Sequence, residues 1–297
     1  MSFFENIRRK FPQMLLMEAE TLAKHTSFQI GGEAPMGFPS SCEELAALYR
    51  FCRAEGIGLR ILGAGTNILA PDEGLSELVI CTKNMTAIQN LGGGEIEAEC
   101  GVLLSRLACY ARDRSLTGLE FAHGIPGTVG GGIYMNAGAY GGEMAQVAVR
   151  TEAMMPDGSI CTVSGEEHQF GYRRSVFEET GAIVLKTVFC LQPGQKEQIS
   201  ETMQELAAKR RSSQPLEYPS AGSTFKRPAG GYAAALIDEA GLRGTGVGGA
   251  LVSEKHAGFV INKGGATAKD VLETMKQIQK KVLETSGIAL EPEVRIW

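Results

Sequence analysis

A chain of 297 residues is long enough for two or three domains, each burying a core of its own. Its 29 basic and 34 acidic residues leave a net charge of −5, which argues against the clustered positive surface that nucleic-acid binding demands. No apolar run approaches the roughly 20 residues of a membrane span, and Arg8, Arg9 and Lys10 sit among Glu5, Glu18 and Glu20 where a signal peptide would be apolar.

Residues 1–20 are expected to form a helical arm, followed by an extended segment, His25–Gly32, that ends in two glycines. Ser40-Ser41-Cys42-Glu43 then reads as a capping box, with Ser40 as the cap and Glu43 three residues on. The helix it opens carries Leu45, Leu48, Tyr49 and Cys52 on one face and closes at Gly56. Leu59–Leu62 is a predicted buried strand that runs straight into Gly63-Ala64-Gly65-Thr66-Asn67-Ile68-Leu69, an uncharged turn offering free amides, a hydroxyl and a carboxamide. By itself such a turn says little, because β-turns use the same residues. Leu78–Cys81 and Ile96–Cys100 are further strands, and Val102–Ser115 is a helix with Leu104, Leu107, Ala108 and Ala111 inward.

The next stretch, Gly124–Glu143, dominates the chain: eight of its twenty residues are glycine, and its one charged side chain is Glu143. Ile125, Val129, Ile133, Tyr134 and Met135 are too apolar for a solvated linker, so the glycines mark close passage of backbone. Successive free amides form a concave nest of partial positive charge, which suits a diphosphate; a close-packed turn without ligand is the alternative. Two such glycine turns in one chain favour a large phosphate-bearing ligand.

Val147–Met155 and Ile160–Val163 flank Pro156-Asp157-Gly158-Ser159, a hairpin signal, and Ala182–Leu191 is another strand. Helical period returns at Lys196–Arg211, with Ile199, Met203, Leu206 and Arg210 in line, and Ser212–Pro219 with its two prolines marks a domain boundary. Beyond it come a helix at Tyr232–Ala240, strands at Ala250–Ser253 and Ala257–Asn262, and a long helix capped by Thr267 and Asp270 with Val271, Met275, Ile278 and Val282 inward. Gly244-Thr245-Gly246-Val247-Gly248-Gly249 matches G-x-G-x-x-G, but a dinucleotide turn needs a strand before it and a helix after, and here the order is reversed. The seven cysteines (Cys42, Cys52, Cys81, Cys100, Cys109, Cys161 and Cys190) form no C-x-x-C pair, which fits a reduced, cytoplasmic protein. His25, His123, His168 and His256 include no H-x-x-x-H pair, so no metal site is expected. The class is α+β, without repeats.

Four polar clusters are too dense for an ordinary surface: Tyr172-Arg173-Arg174-Ser175-Val176-Phe177, Ser220–Pro228 (SAGSTFKRP), Lys255-His256-Ala257-Gly258-Phe259, and Pro292-Glu293-Val294-Arg295. With the two glycine turns, they resemble the UDP-N-acetylenolpyruvoylglucosamine reductases, flavoproteins of peptidoglycan precursor synthesis. The resemblance runs from about His25 to Arg295, and GIPGTVGG, MNAGAYG and SAGSTFK are its most specific stretches.

The resemblance implies a vanillyl-alcohol-oxidase-type FAD-binding fold of two subdomains followed by a smaller α+β substrate domain. Mapped onto this chain, that gives an N-terminal helical arm over 1–24, FAD-binding subdomains over 25–82 and 83–212, and a substrate-binding domain over 213–297. It further implies non-covalent FAD, NADPH as co-substrate, and reduction of the enolpyruvyl UDP-sugar to UDP-N-acetylmuramate in the cytoplasm. No nucleic-acid or membrane partner is expected; the oligomeric state is open, with a monomer the expectation. Gly63, Ala64, Gly65, Thr66, Asn67, Ile68, Gly127, Thr128, Gly130, Asn136, Ala137, Gly138 and Arg227 correspond to cofactor-binding positions. Arg173, Ser223 and Glu293 correspond to the catalytic residues, and Tyr172, Arg173, Lys226, Lys255 and His256 to substrate-binding ones, with Arg211 a further candidate for the diphosphate.

Physical chemistry fits these roles. Hydride delivery to a carbon β to a carboxylate places negative charge on the carboxyl oxygens, which a guanidinium answers bidentately. Ser223 would protonate the neighbouring carbon, helped by the Lys226 cation, and Glu293 polarises the same carboxylate only if it carries or shares a proton. Two departures stand out. The tyrosine-bearing insertion of some members finds no room between Phe177 and Ser223, which indicates the shorter subtype, and FKRP replaces the common FKNP. The rival readings are an FAD oxidase of the same cofactor fold, with His123 as the one candidate for covalent attachment, and a non-catalytic flavin or nucleotide-sugar sensor.

Overall fold

The computed structural model describes residues 3–297 and divides into two compact units, each assembled from separate stretches of chain. The first comprises residues 3–18, 35–64 and 77–210; the second comprises 19–34, 65–76 and 211–297.

The start of the chain is not one helical arm. Of the expected span, Met1 and Ser2 lie outside the described residues, Phe3–Lys10 is helical, and Leu15–Thr21 is a strand. Pro12 is the physical reason: the residue before a proline is pushed out of the α region, so the helix stops short of Phe11.

Glu33–Phe38, Leu78–Cys81 and Leu59–Leu62, whose residues belong mostly to the first unit, are neighbours in one sheet, paired in parallel at Met36 with Val79 and Leu62 with Cys81, and Leu15–Thr21 lies on the edge. Parallel neighbours need a crossover, and the helix Cys42–Ala54 supplies one. Its cap is Ser41, whose hydroxyl accepts the Glu44 amide, and not Ser40; the carboxylate of Glu44 instead reaches back to the amide and hydroxyl of Ser40. Leu45, Leu48 and Cys52 on its inner face are fully buried, each aliphatic chain contributing roughly 1.5–3 kcal/mol.

The second layer of this unit is an antiparallel five-stranded sheet in the order Ile160–Ser164, Ala148–Met154, Ile183–Cys190, Glu95–Glu99, Ile88–Gly92. Asp157 makes the hairpin turn, accepting both the amide and the hydroxyl of Ser159. Helix Leu104–Arg112 presents Leu104, Leu107, Ala108 and Ala111 to the same core.

The second unit has its own core around an antiparallel sheet of Gly246–Val247, Ala250–Val252 and Val260–Asn262. Helix Ala268–Ser286 packs Val271, Met275, Ile278 and Val282 into that core, opened by a Thr267–Asp270 capping box and closed by Gly287 at φ +72°. The G-x-G-x-x-G segment is a hairpin, with Val247 paired to Ala250. Its glycines answer packing: a Cβ on Gly246 would stand 2.0 Å from the Ala250 carbonyl, and one on Gly248 2.5 Å from the Asp270 carboxylate. Arg295–Ile296 pairs in parallel with Ile68–Leu69 and so brings the end of the chain to the first glycine turn.

Candidate active site

In the first unit the two glycine segments meet. Gly63 leaves strand Leu59–Leu62, and a Cβ there would stand 2.6 Å from the hydroxyl of Thr128. Thr128 is buried and caps a short helix, Val129–Tyr134, through the amide of Gly131. Among the described residues, no acceptor takes the amides of Gly63, Ala64, Gly127 or Thr128.

The rest of the stretch is not the open nest the sequence suggested. The Gly130 amide donates to the Cys100 carbonyl at 2.8 Å, and a Cβ on Gly130 would come within 2.9 Å of the Cys100 Cβ. Gly130 is therefore a packing glycine. The amides of Asn136 and Ala137 close the helix onto Ile133 and Gly132, and Gly138 is glycine because Glu143 and the Gly142 carbonyl lie 2.7–2.8 Å from where its Cβ would be.

Arg173 stands at the tip of a turn closed by reciprocal backbone hydrogen bonds between Gly171 and Arg174, with its own backbone at φ +56°. Its guanidinium lies 5.1 Å from the ring centre of Tyr172, which is half exposed, and donates to the Gly138 carbonyl at 3.5 Å. Behind the turn, Phe170 stacks on buried His168 at 4.7 Å, and the two ring nitrogens of His168 meet the Gly165 carbonyl and the Thr151 hydroxyl, each at 2.9 Å. Burial lowers the pKa of that imidazole.

In the second unit, Gly65 at φ +64° lies so close to His25 that a Cβ would stand 2.0 Å from its carbonyl, while Ser27 donates its amide to the Gly65 carbonyl. Asn67 is bound on two sides: its side-chain amide donates to the Glu293 carbonyl at 3.1 Å and its own carbonyl accepts the Arg295 amide at 2.9 Å. Ser223 follows Gly222, at φ +76°, into a segment that runs antiparallel to Glu291–Glu293: Lys226 donates its amide to Glu291, and Glu293 donates its amide to Thr224. Ser223 is half-buried, and among the described residues nothing hydrogen-bonds its hydroxyl, so it does not cap a turn.

Several expected substrate contacts have partners inside the chain. The Lys226 ammonium is paired with Glu291. Lys255 donates to the Arg211 carbonyl at 2.7 Å and faces Glu217 at 3.8 Å. His256 accepts the Gly258 amide at Nδ1 and packs edge-on against Phe259. Arg227 lies 4.4 Å over the ring of Tyr232. Conversely, the sequence reading placed Arg210 on the inner line of a helix without assigning it a role. It is half-buried beside Gly124 and has no carboxylate partner among the described residues; burial lowers its pKa and Tyr140 opposes that shift. The signal was there: an arginine on the buried face of a helix needs an anion from somewhere.

Residues 36–164 match the family model of an FAD binding domain, and residues 214–297 match the C-terminal domain of UDP-N-acetylenolpyruvoylglucosamine reductase. A UDP-N-acetylenolpyruvoylglucosamine reductase of Agathobacter rectalis is 43% identical over 309 residues, spanning 99% of this chain and 98% of the relative. That of Caldanaerobacter subterraneus is 47% identical over 280 residues, spanning 93% and 92%. The chain belongs to the UDP-N-acetylenolpyruvoylglucosamine reductase family.

The UDP-N-acetylenolpyruvylglucosamine reductase of Thermus caldophilus, known as a crystal structure, shares the fold at a TM-score of 0.82 and 37% identity, over 96% of this chain and 99% of that one. An alkyldihydroxyacetonephosphate synthase shares fold alone, at a TM-score of 0.51 and 16% identity over 65% of this chain. Membership of the reductase family makes the protein an FAD-dependent oxidoreductase of peptidoglycan precursor synthesis, with the vanillyl-alcohol-oxidase-type cofactor fold. Among the described residues, no helix is long and apolar enough to cross a membrane.

Proposed function

We propose that the protein reduces the enolpyruvyl ether of UDP-N-acetylglucosamine to UDP-N-acetylmuramate, at the expense of NADPH and with FAD held non-covalently. The meeting of Gly63 with Thr128 carries this reading, because it joins two glycine segments whose amides at Gly63, Ala64, Gly127 and Thr128 have no acceptor among the described residues. That donor set fits a diphosphate. The Nδ1 of His123, buried beside Gly124 without a partner among the described residues, is a further polar atom that a bound group would satisfy. FAD held there would supply the hydride chemistry between NADPH and the enolpyruvyl double bond.

The chain's own residues do the rest. Gly63, Ala64, Gly127 and Thr128 offer amides to the cofactor, and Gly65, Thr66, Asn67 and Ile68 correspond to further cofactor positions. Arg210 supplies a fixed positive charge near Gly124 for an anionic part of cofactor or substrate. Arg173 meets the carboxylate on which charge develops, with Tyr172 as its neighbour. Ser223 gives its proton to the carbon next to the one that receives hydride, and Glu293, on the adjoining segment, polarises the carboxylate. We take 25–82 and 83–212 as the cofactor domain and 213–297 as the substrate domain, preceded by a helix and an edge strand in place of the expected arm, and the enzyme as a cytoplasmic monomer. The two family matches, 36–164 and 214–297, support the division.

The test is an assay of NADPH oxidation with and without the enolpyruvyl UDP-sugar, on protein whose yellow colour should pass into the supernatant on denaturation. Oxidation that requires the sugar supports the reading. Colour that stays with the precipitate, or oxidation that needs only oxygen, favours the oxidase.

A further inference from the structure

The turn bearing Arg173 is held by a residue of the glycine-rich stretch. Gly171 donates to Arg174 at 3.0 Å and Arg174 to Gly171 at 3.2 Å, so Tyr172 and Arg173 occupy the tip of a closed four-residue loop. Arg173 sits at φ +56°, a conformation that a long side chain keeps only where its surroundings over-determine it. Asn136 supplies part of that constraint. Its Nδ2 donates to the Gly171 carbonyl at 3.0 Å, and its Oδ1 accepts the Ala145 amide at 2.9 Å. The opposite orientation of the carboxamide would set donor against donor and oxygen against oxygen, so the neighbours fix it. Asn136 is 1% exposed, and both ends of its side chain are spent inside the protein. Its own φ of +42° is one that asparagine tolerates better than most side chains. A second strap closes the other side, where the Ser175 hydroxyl, fully buried, donates to the Tyr134 carbonyl at 2.7 Å.

We propose that Asn136 is a positioning residue for the reaction: its carboxamide fixes the Gly171–Arg174 turn, and with it the Arg173 guanidinium, to the glycine-rich segment. This replaces a direct contact between its side chain and the cofactor. The proposal rests on the assignment of Arg173 to the substrate carboxylate. A misplacement of about 1 Å in such a group costs on the order of 10²-fold in rate.

The experiment uses Asn136→Asp in the FAD-loaded enzyme, with Arg173→Lys beside it. FAD content, flavin reduction by NADPH, and reoxidation of the reduced enzyme by the enolpyruvyl UDP-sugar are followed separately. At pH 8 the introduced carboxylate still accepts the Ala145 amide but opposes the Gly171 carbonyl. Reoxidation by the sugar should slow by about 10²-fold, with FAD content and the NADPH step unchanged. As the pH is lowered towards 5, the carboxyl regains a proton that it can donate to Gly171, and the variant should recover relative to the unsubstituted enzyme. A general loss of structure would not give that pH profile. Normal reoxidation by Asn136→Asp at pH 8, with Arg173→Lys slow, overturns the positioning role and leaves the Arg173 assignment standing. Normal reoxidation by Arg173→Lys overturns the assignment itself. Loss of FAD from Asn136→Asp would return Asn136 to the cofactor site and overturn the proposal. Should Asn136→Asp fail to fold, Asn136→Gly removes the carboxamide while keeping the backbone conformation, and the same rate comparison decides.

Discussion

The backbone amide of Glu293 donates to the carbonyl of Thr224 at 2.9 Å, which sets Glu293 and Ser223 on adjoining antiparallel segments of one unit. Asn67 takes the Glu293 carbonyl from the other side. A carboxyl and a hydroxyl with no hydrogen-bond partner among the described residues are thus carried on hydrogen-bonded backbone, an arrangement that suits directed proton delivery, since free water would not control the face of attack.

Ser223→Ala should lower turnover by about 10²–10⁴-fold, the usual worth of general acid catalysis. Flavin content and bleaching by NADPH should not change. Ser223→Cys keeps a donor and should retain more activity than alanine. Rapid turnover by the alanine variant with a single product stereoisomer would exclude Ser223 as proton donor.

Arg173→Lys keeps the charge but loses the planar fork. Reoxidation of the reduced flavin by the enolpyruvyl sugar should fall roughly 10²–10³-fold while reduction by NADPH continues. Rapid mixing separates the two steps. Equal losses in both would place Arg173 in the cofactor site or the scaffold instead.

Two glycines of the cradle should behave differently. Gly63→Ala puts a methyl 2.6 Å from the Thr128 hydroxyl, where open amides of both segments converge, so FAD occupancy should drop before stability does. Gly130→Ala presses on the Cys100 Cβ and backbone, so its main effect should be a loss of about 1–3 kcal/mol in stability. Flavin absorbance and urea unfolding of each variant give the comparison. A Gly130→Ala protein of normal stability that cannot hold FAD would restore Gly130 to the ligand side.

Stability should fall as the pH drops below about 6.5, the ordinary histidine value. Burial lowers the pKa of His168 and of His256, so below that point the unfolded chain binds protons that the folded protein does not. In His168→Gln the difference in urea midpoint between pH 7.5 and pH 5 should narrow, the remainder belonging in part to His256. An undiminished difference would show that His168 titrates alike in both states.

Periodicity and punctuation are local, so the sequence by itself determined most elements. The hairpin around Asp157, the inner faces of Cys42–Ala54 and Ala268–Ser286, and the Thr267–Asp270 box follow from residues within a few positions of one another. The composition of Gly124–Glu143 and the polar clusters were enough to point to the family. What lay beyond local pattern was which hydrogen bonds each amide and side chain would make. Glycine density did not distinguish the open amides of Gly63 and Gly127 from the Gly130 amide, because that difference depends on Cys100, thirty positions away in the chain. The partners of the Asn136 carboxamide, Gly171 and Ala145, lie 35 and 9 positions away and were beyond local pattern. Nor did local pattern show that Lys226 pairs with Glu291, that Lys255 donates to the Arg211 carbonyl, or that half-buried Arg210 has no carboxylate partner among the described residues. A residue type sets which bonds a group is able to make; only the folded chain brings the partner that decides which of them it does make.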